Sequence, residues 1–343
     1  MRTRTAHYFI HGRGRGHASR FPSARRALEE AGYQIHLHAG GDALDLVSSS
    51  RHDGPLHLRT PLLPGPLSPL RLIRRTVADA WRYGASAPDL VVSDGDQSAL
   101  LASRVSGIAS LAIGHDVVFS GKVQIPDLPA GPLRYQRLNL APVNAATRMI
   151  GVHFLPTVSQ DRNLRVARPE PLGLRRNLEP DEHMTCYFRD RCGADVVTMF
   201  AAVGVPLCWF GQEATPSTRV HAHGIDKPLF ARALERCRAV IGSAGSNLLA
   251  ECVLLSKPVF AMYRRGDSEQ YLNAELVERS GIGMACAFDE LNLDLVYRFV
   301  ARVKADDFAK VDLESALPPL SRAVRDALID LSGETVEPAF ACE

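Results

Sequence analysis

The chain has 343 residues, 46% of them hydrophobic, enough for about two domains that each bury a core. Lys and Arg total 40 against 38 Asp and Glu, and a formal net charge of +2 argues against a polyanion-binding protein, nucleic acid included. Lysine occurs only at 122, 227, 257, 304 and 310, so arginine is the default cation and a single Arg cluster is a weak phosphate signal.

Strand-like runs alternate with helical ones, the pattern of parallel sheets covered by helices. In the first half the spacing predicts strands near 6–11, 33–38, 55–59, 89–93 and 108–113, and helices near 20–31, 42–49, 69–84 and 97–105. The helix 20–31 would hold Pro22 in its first turn, where a missing N–H is harmless, and stop at Gly32. From about 114 to 182 periodicity fades and prolines punctuate the chain, so a boundary is expected near 175. The second half restarts with strands near 183–188, 206–210, 238–242, 258–262 and 284–287, and helices near 194–203, 228–236, 246–255, 269–280 and 292–304. A last helix is expected over 318–332. The expected domains are therefore 1–175 and 176–332, with 333–343 a loose end.

Directly after the first strand, Gly12-Arg-Gly-Arg-Gly-His-Ala-Ser-Arg20 places three alternating glycines where a backbone can fold closely against a ligand. It is not a dinucleotide fingerprint. After Gly12 and Gly14 the third glycine position is His17, and after Gly14 and Gly16 it is Ser19; the second strand also ends His36-Leu-His38 without the acidic residue that would bind ribose. His17 is either a loop histidine that shapes the turn or a general base. A helix N-terminus disfavours imidazolium, and a carboxylate on Nδ1 would restore basicity and fix the tautomer. Asp94, at the end of the strand Asp89-Leu-Val-Val-Ser-Asp94, is the expected partner, with Asp96 as the fallback.

In the second half, Ser243-Ala-Gly-Ser-Asn247 repeats the strand, glycine turn, helix arrangement. Such a turn either caps its helix or presents amides and a positive dipole to a diphosphate. Glu251 is the one charge in an otherwise apolar helix; neither capping nor the dipole explains it, whereas a pair of ribose hydroxyls would. Asp267-Ser-Glu-Gln270 has capping-box spacing, and the same side chains could equally hydrogen-bond a sugar.

The seven cysteines (186, 192, 208, 237, 252, 286 and 342) form no metal-like spacing and suit a reducing cytoplasm, and no secretion signal or membrane-spanning stretch is expected. Leu62-Leu-Pro-Gly-Pro-Leu67 followed by Leu70-Arg-Leu-Ile-Arg-Arg75 reads either as a basic-apolar patch for anionic lipid or as a loop leading into an ordinary half-buried helix, with the second reading favoured.

Four segments together resemble glycosyltransferases of the GT-B fold: Gly14-Arg-Gly-His-Ala-Ser-Arg20, Pro88-Asp-Leu-Val-Val-Ser-Asp94, Ser243-Ala-Gly-Ser-Asn-Leu-Leu-Ala-Glu251 and Glu269-Gln-Tyr-Leu-Asn-Ala274. Their order is similar to the bacterial group with a Gly-x-Gly-His-x-x-Arg loop, relatives of the peptidoglycan N-acetylglucosaminyltransferase and of UDP-glucuronosyltransferase-like enzymes. The resemblance implies two Rossmann-like α/β domains facing across a cleft, the first for the acceptor and the second for a nucleotide sugar. It implies an inverting, metal-independent transfer from a nucleoside-diphosphate sugar, UDP being the commonest, to the hydroxyl of a small or lipid-linked acceptor, with no cofactor. By motif, His17 would be the base and Asp94 its orienting partner. Gly245, Ser246 and Asn247 would cradle the diphosphate, Glu251 the ribose, and Glu269 with Gln270 the donor sugar, with Gly16 and Ser243 also binding the nucleotide sugar. Two departures stand out. Arg189-Asp-Arg-Cys-Gly193 replaces a glycine-rich loop, so that Arg189 or Arg191 would bind phosphate, and the Trp and His that open the plant donor motif are missing. The resemblance also admits a nucleotide-sugar hydrolase or a 2-epimerase. It places the protein in the cytoplasm, with the inner membrane face as the alternative, and leaves oligomeric state open.

Overall fold

The computed structural model describes residues 3–333 except 13–15, 49–52, 63–67, 121–122, 124–127, 172, 177, 189–192, 212–214 and 225. Two compact units emerge, one from the described residues within 1–125, 136–170 and 317–343, the other from those within 126–135 and 171–316.

The first unit opens with β1 (Arg4–Ile10), α1 (Gly16–Glu30), β2 (Tyr33–Ala39), α2 (Asp42–Ser48) and β3 (Leu56–Leu58). It continues with α3 (Ser68–Ser86), β4 (Leu90–Asp94), α4 (Gln97–Val105) and β5 (Ser110–Gly114). After α5 (Ala130–Asn139), of which only 136–139 fall in this unit, come β6 (Arg148–Val152) and β7 (Leu164–Ala167). The strands form one sheet in the order β3-β2-β1-β4-β5-β6-β7, and every pairing is parallel. Period-two alternation sends Ala6, Tyr8 and Ile10 to one face, against Ala24 and Leu28 of α1, while Phe9 and Val91 meet Tyr83, Ala99 and Ala102 on the other.

The second unit contains β8 (Met184–Tyr187), α6 (Gly193–Ala202), β9 (Leu207–Phe210), β10 (Val220–His223), α7 (Lys227–Arg236) and β11 (Val240–Ser243). Then follow α8 (Ser246–Leu254), β12 (Val259–Tyr263), α9 (Ser268–Ser280), β13 (Gly283–Ala287), α10 (Leu293–Lys304) and α11 (Leu313–Ala316). Its sheet runs β10-β9-β8-β11-β12-β13, again parallel throughout. Phe200, Phe260 and Phe299 pack edge to face at the centre of its core, with ring centroids 5.2–6.2 Å apart.

Four expectations need correction. The helix expected from 20 begins at Gly16, so Pro22 lies inside it rather than in its first turn. The helix expected to close the second domain, α12 (Leu320–Ser332), belongs to the first unit. Its Leu320, Ala323, Val324, Ala327 and Leu328 complete the α1 side of that core, and Arg325 meets Glu30 at 2.8 Å. The stretch 114–182, read as irregular, holds α5, β6 and β7, and β10 was also unread; each of these strands is four or five residues long, too short for periodicity to register. Finally, α3 is not an ordinary half-buried helix. It turns Asp79 and Tyr83 inward and leaves Leu70, Ile73, Val77 and Trp81 exposed. Among the described residues no helix is long and apolar enough to cross a membrane.

Candidate active site

In both sheets the strand order reverses direction beside the first strand of the unit, between β1 and β4 and between β8 and β11. Loops leaving the carboxyl ends of strands at such a switch point form a crevice in which ligands bind. The segments at 14–20, 88–94 and 243–251 lie at these two points, and that at 269–274 follows β12, one strand further on.

In the first unit Ile10 pairs in register with Asp94, so the loop after β1 and the end of β4 emerge side by side. The early start of α1 puts His17 in its first turn and Arg20 three residues on, on the same helix face. His17 Nδ1 lies 2.7 Å from Asp94 Oδ1. Arg20 donates to both carboxylate oxygens, Nε to Oδ2 at 2.9 Å and Nη2 to Oδ1 at 2.6 Å, and its Nη2 also stands 3.0 Å from His17 Nδ1. Asp94 is fully buried. Burial alone would raise its pKa, but the Arg20 guanidinium and the bond to His17 hold it below the usual carboxylate range. With Nδ1 engaged by a fixed carboxylate and the ring still 23% exposed, Nε2 is the nitrogen left to take a proton.

Gly95 makes this approach possible. Its φ of +80° suits glycine, and a Cβ there would stand 2.6 Å from His17 Cε1 and 2.9 Å from Nδ1. Asp116, just past β5, adds a second carboxyl whose pKa burial pushes up while His17 and Arg20 oppose the rise. Asp96, the fallback partner, is engaged elsewhere. It caps α4 and binds Arg59 through both oxygens, at 2.6 and 3.0 Å, while Arg59 also holds Asp79. His17 therefore pairs with Asp94.

In the second unit the turn after β11 is held from two sides. Ala244 N–H donates to Met262 O at 2.7 Å, and the buried Asn273 amide donates to Ala244 O at 3.0 Å. Gly242 lets the strand approach β8, because a Cβ would stand 2.7 Å from Tyr187 O. Gly245 is different. Its backbone is extended, a Cβ there would have Ser243 O at an ordinary 4.0 Å as its nearest contact, and α8 begins at Ser246 without a side-chain cap. Neither packing nor backbone conformation calls for glycine there, and close approach of a ligand would.

Along α8 the partly exposed positions are Ser246, Asn247 and Glu251, and the last two, four residues apart, share a face. Burial pushes the Glu251 carboxyl up to about 7, against the pull of Lys227. Glu269 and Gln270 sit in the first turn of α9, after the neighbouring strand β12, and both are partly exposed. Asp267 accepts from Gln270 N at 3.1 Å, so the 267–270 spacing does serve as a cap. Gly16 is the first residue of α1. Arg189 and Arg191 lie outside the described residues. Among the described residues no three His, Cys, Asp or Glu side chains gather as a metal site would require.

Sequence reasoning placed Arg20 and Asn273 within its motifs without giving either a role, and missed Gly95 and Asp116. The i, i+3 spacing of His17 and Arg20 was a readable signal, obscured because the helix was expected to begin only at residue 20. Gly95 and Asn273 act through close approach between distant segments, which leaves no local trace.

Residues 142–304 match the family described as glycosyl transferase family 1. The whole chain is similar to several solved structures. These include MurG of Acinetobacter baumannii, with a TM-score of 0.67 and 14% identity over 97% of this chain and 100% of that one. LpCGTa in complex with UDP gives 0.60 and 15% over 98% and 96%. SsfS6 of Streptomyces sp. SF2575, complexed with thymidine diphosphate, gives 0.58 and 16% over 96% and 99%. No curated protein sequence matches the chain.

Proposed function

We propose that this chain, a glycosyltransferase of the GT-B fold with its residues 142–304 in glycosyl transferase family 1, transfers a sugar with inversion from a nucleoside diphosphate to a hydroxyl group. The observation that carries the reading is the His17–Asp94 pair at 2.7 Å at the switch point of the first sheet. His17 Nε2 takes the proton as the acceptor oxygen forms its bond to the anomeric carbon. The bond from that carbon to the diphosphate oxygen breaks on the opposite face, and the electron pair leaves with the nucleotide. Asp94 fixes the tautomer and stabilises the imidazolium, and Arg20 holds Asp94 in place.

The second unit binds the donor. The amides around Ser243, Gly245, Ser246 and Asn247 face the diphosphate, and the positive end of α8 stabilises its charge as it departs, which makes a metal unnecessary. Glu251 accepts from the ribose hydroxyls, and Glu269 and Gln270 hold the sugar. Neighbouring structures hold UDP or thymidine diphosphate, which supports a pyrimidine base for the donor. A nucleotide sugar places the reaction in the cytoplasm, and an acceptor carried on lipid would bring it to the inner membrane face.

Incubation with UDP- and thymidine diphosphate-sugars, with and without hydroxyl acceptors, tests the assignment. Acceptor-dependent release of nucleotide, with the product of opposite anomeric configuration, is the expected result. Free sugar formed at the same rate without acceptor would identify a hydrolase, and retention of configuration would overturn the single displacement.

A further inference from the structure

Three aspartates, Asp94, Asp96 and Asp116, stand at or just past the carboxyl ends of β4 and β5. Arg20 binds both oxygens of Asp94, and Arg59 binds both oxygens of Asp96. Asp116 differs. It is partly exposed, and among the described residues no side chain donates a hydrogen bond to it. Its place is set by close packing. Asp94 pairs in register with Ile113, so the residues that follow, Gly95 and Gly114, leave neighbouring strands, which lie about 4.8 Å apart. A Cβ on Gly95 would stand 2.6 Å from His17 Cε1, and a Cβ on Gly114 would stand 2.6 Å from Asp116 Oδ1. The backbone of Gly114 is not left-handed, so room for the carboxyl, and not a turn, calls for glycine there. Imidazole and carboxyl are thus each folded over a glycine at the end of adjacent strands. Of the neighbouring charges, His17 acts most strongly on Asp116, ahead of Arg20 and Asp94. The preceding residue, His115, is buried and stacks on His153 with ring centroids 5.2 Å apart, which gives the carboxyl a fixed footing.

We propose that Asp116 selects the acceptor: it pairs with a second hydroxyl, beside the one that His17 deprotonates, so that a sugar or other neutral polyol is preferred over a molecule with a single hydroxyl. The inference rests on His17 as the base and adds which acceptors suit it. The chemistry of the carboxyl selects the class. Burial favours the protonated form of Asp116, while His17 and Arg20 favour the ionised one. A hydroxyl is donor and acceptor at once and pairs with either form. An ammonium would need the ionised carboxyl, and a phosphate the protonated one. Asp116 moves no proton in this role. It fixes the acceptor so that the reacting hydroxyl meets the imidazole, and a site built to bond a hydroxyl rejects molecules that lack it.

Ligand-detected NMR with methyl glucoside and cyclohexylmethanol, rings of one size with several hydroxyls and with one, tests the assignment in the presence of UDP. It reads binding whether or not a sugar is transferred. The wild type should bind methyl glucoside about tenfold more tightly than cyclohexylmethanol. Asp116→Ala should remove that preference and leave cyclohexylmethanol binding, UDP affinity and unfolding temperature unchanged. Asp116→Asn, which keeps an accepting oxygen, should stay within about threefold of the wild type. With UDP-glucose as donor, Asp116→Ala should raise KM for methyl glucoside about tenfold with kcat nearly constant. Equal binding of the two probes, no binding of methyl glucoside, or undiminished binding by Asp116→Ala would overturn the inference. So would a fall in kcat with both probes, which is the mark of a structural role. Methyl glucoside bound through Asp116 without any transfer would support the hydroxyl site and count against the proposed reaction instead.

Discussion

Gly95 and His17 are in such close contact that a single added methyl at 95 would stand 2.6 Å from the imidazole Cε1. The glycine between β4 and α4 is thus part of the machinery that presents the base to Asp94. Gly95→Ala should push His17 off Asp94 and also strain a backbone held at φ +80°. We expect turnover to fall by about 10²-fold, stability to fall by roughly 1 kcal/mol or more, and nucleotide affinity to hold. Urea melts and calorimetry on the same preparation check both halves.

Asp94→Asn keeps the shape of the side chain but leaves the buried Arg20 without its counter-charge. Loss of about 3 kcal/mol is expected, together with loss of turnover, because the imidazole is no longer held in the productive tautomer. The wild-type pH dependence follows from the same pair. Asp94 and Asp96 are both held below the ordinary carboxylate range by their arginines, Arg20 and Arg59, against the opposing effect of burial. Their contribution to stability is present above about pH 4 and is lost as pH falls below it through their native values. In Asp94→Asn the acid unfolding limb should flatten, which thermal melts from neutral to acid pH would show.

Glu251 carries the opposite sign. Its carboxyl is raised by burial to about 7, so the native state holds a proton that the unfolded chain has already lost. Stability from this group is therefore complete below about pH 4 and declines as pH rises toward 7. Nucleotide affinity should move the other way, because the ionised carboxylate is the better acceptor for ribose hydroxyls. Titration calorimetry with UDP or thymidine diphosphate should show tighter binding as pH rises through 7, and Glu251→Gln should remove that dependence while weakening binding about tenfold.

Arg59 ties α3 to the sheet through Asp79 and Asp96. Arg59→Met would take from the buried Asp96 the arginine that binds both its oxygens and leave Asp79 to the exposed Arg82 at 3.2 Å, at a cost of about 3 kcal/mol measured by urea denaturation. Turnover of the remaining folded enzyme should be affected far less than in Gly95→Ala, since neither carboxylate touches His17.

The features legible in the sequence were those with local causes. Strands such as β1 and β4 show as apolar runs, and because a parallel sheet delivers their ends to one edge, the pairing of His17 with Asp94 was legible in the sequence. The turn at 243–246 showed for the same reason. What was illegible depends on contacts between distant segments. The return of α12 to the first unit rests on a match between its apolar face and α1, and no pattern within 320–332 reveals which sheet it will cover. The run 70–75 reads as a patch or as part of a half-buried helix, and no pattern within it says which face of α3 turns inward. Here the buried Arg59–Asp79 pair decides it.

The account stands or falls on His17 as the base. Transfer by His17→Ala, measured alongside its UDP and thymidine diphosphate affinity, is the direct test. A loss of about 10²–10⁴-fold in turnover with nucleotide affinity unchanged is predicted. Full turnover in that variant would contradict the mechanism outright.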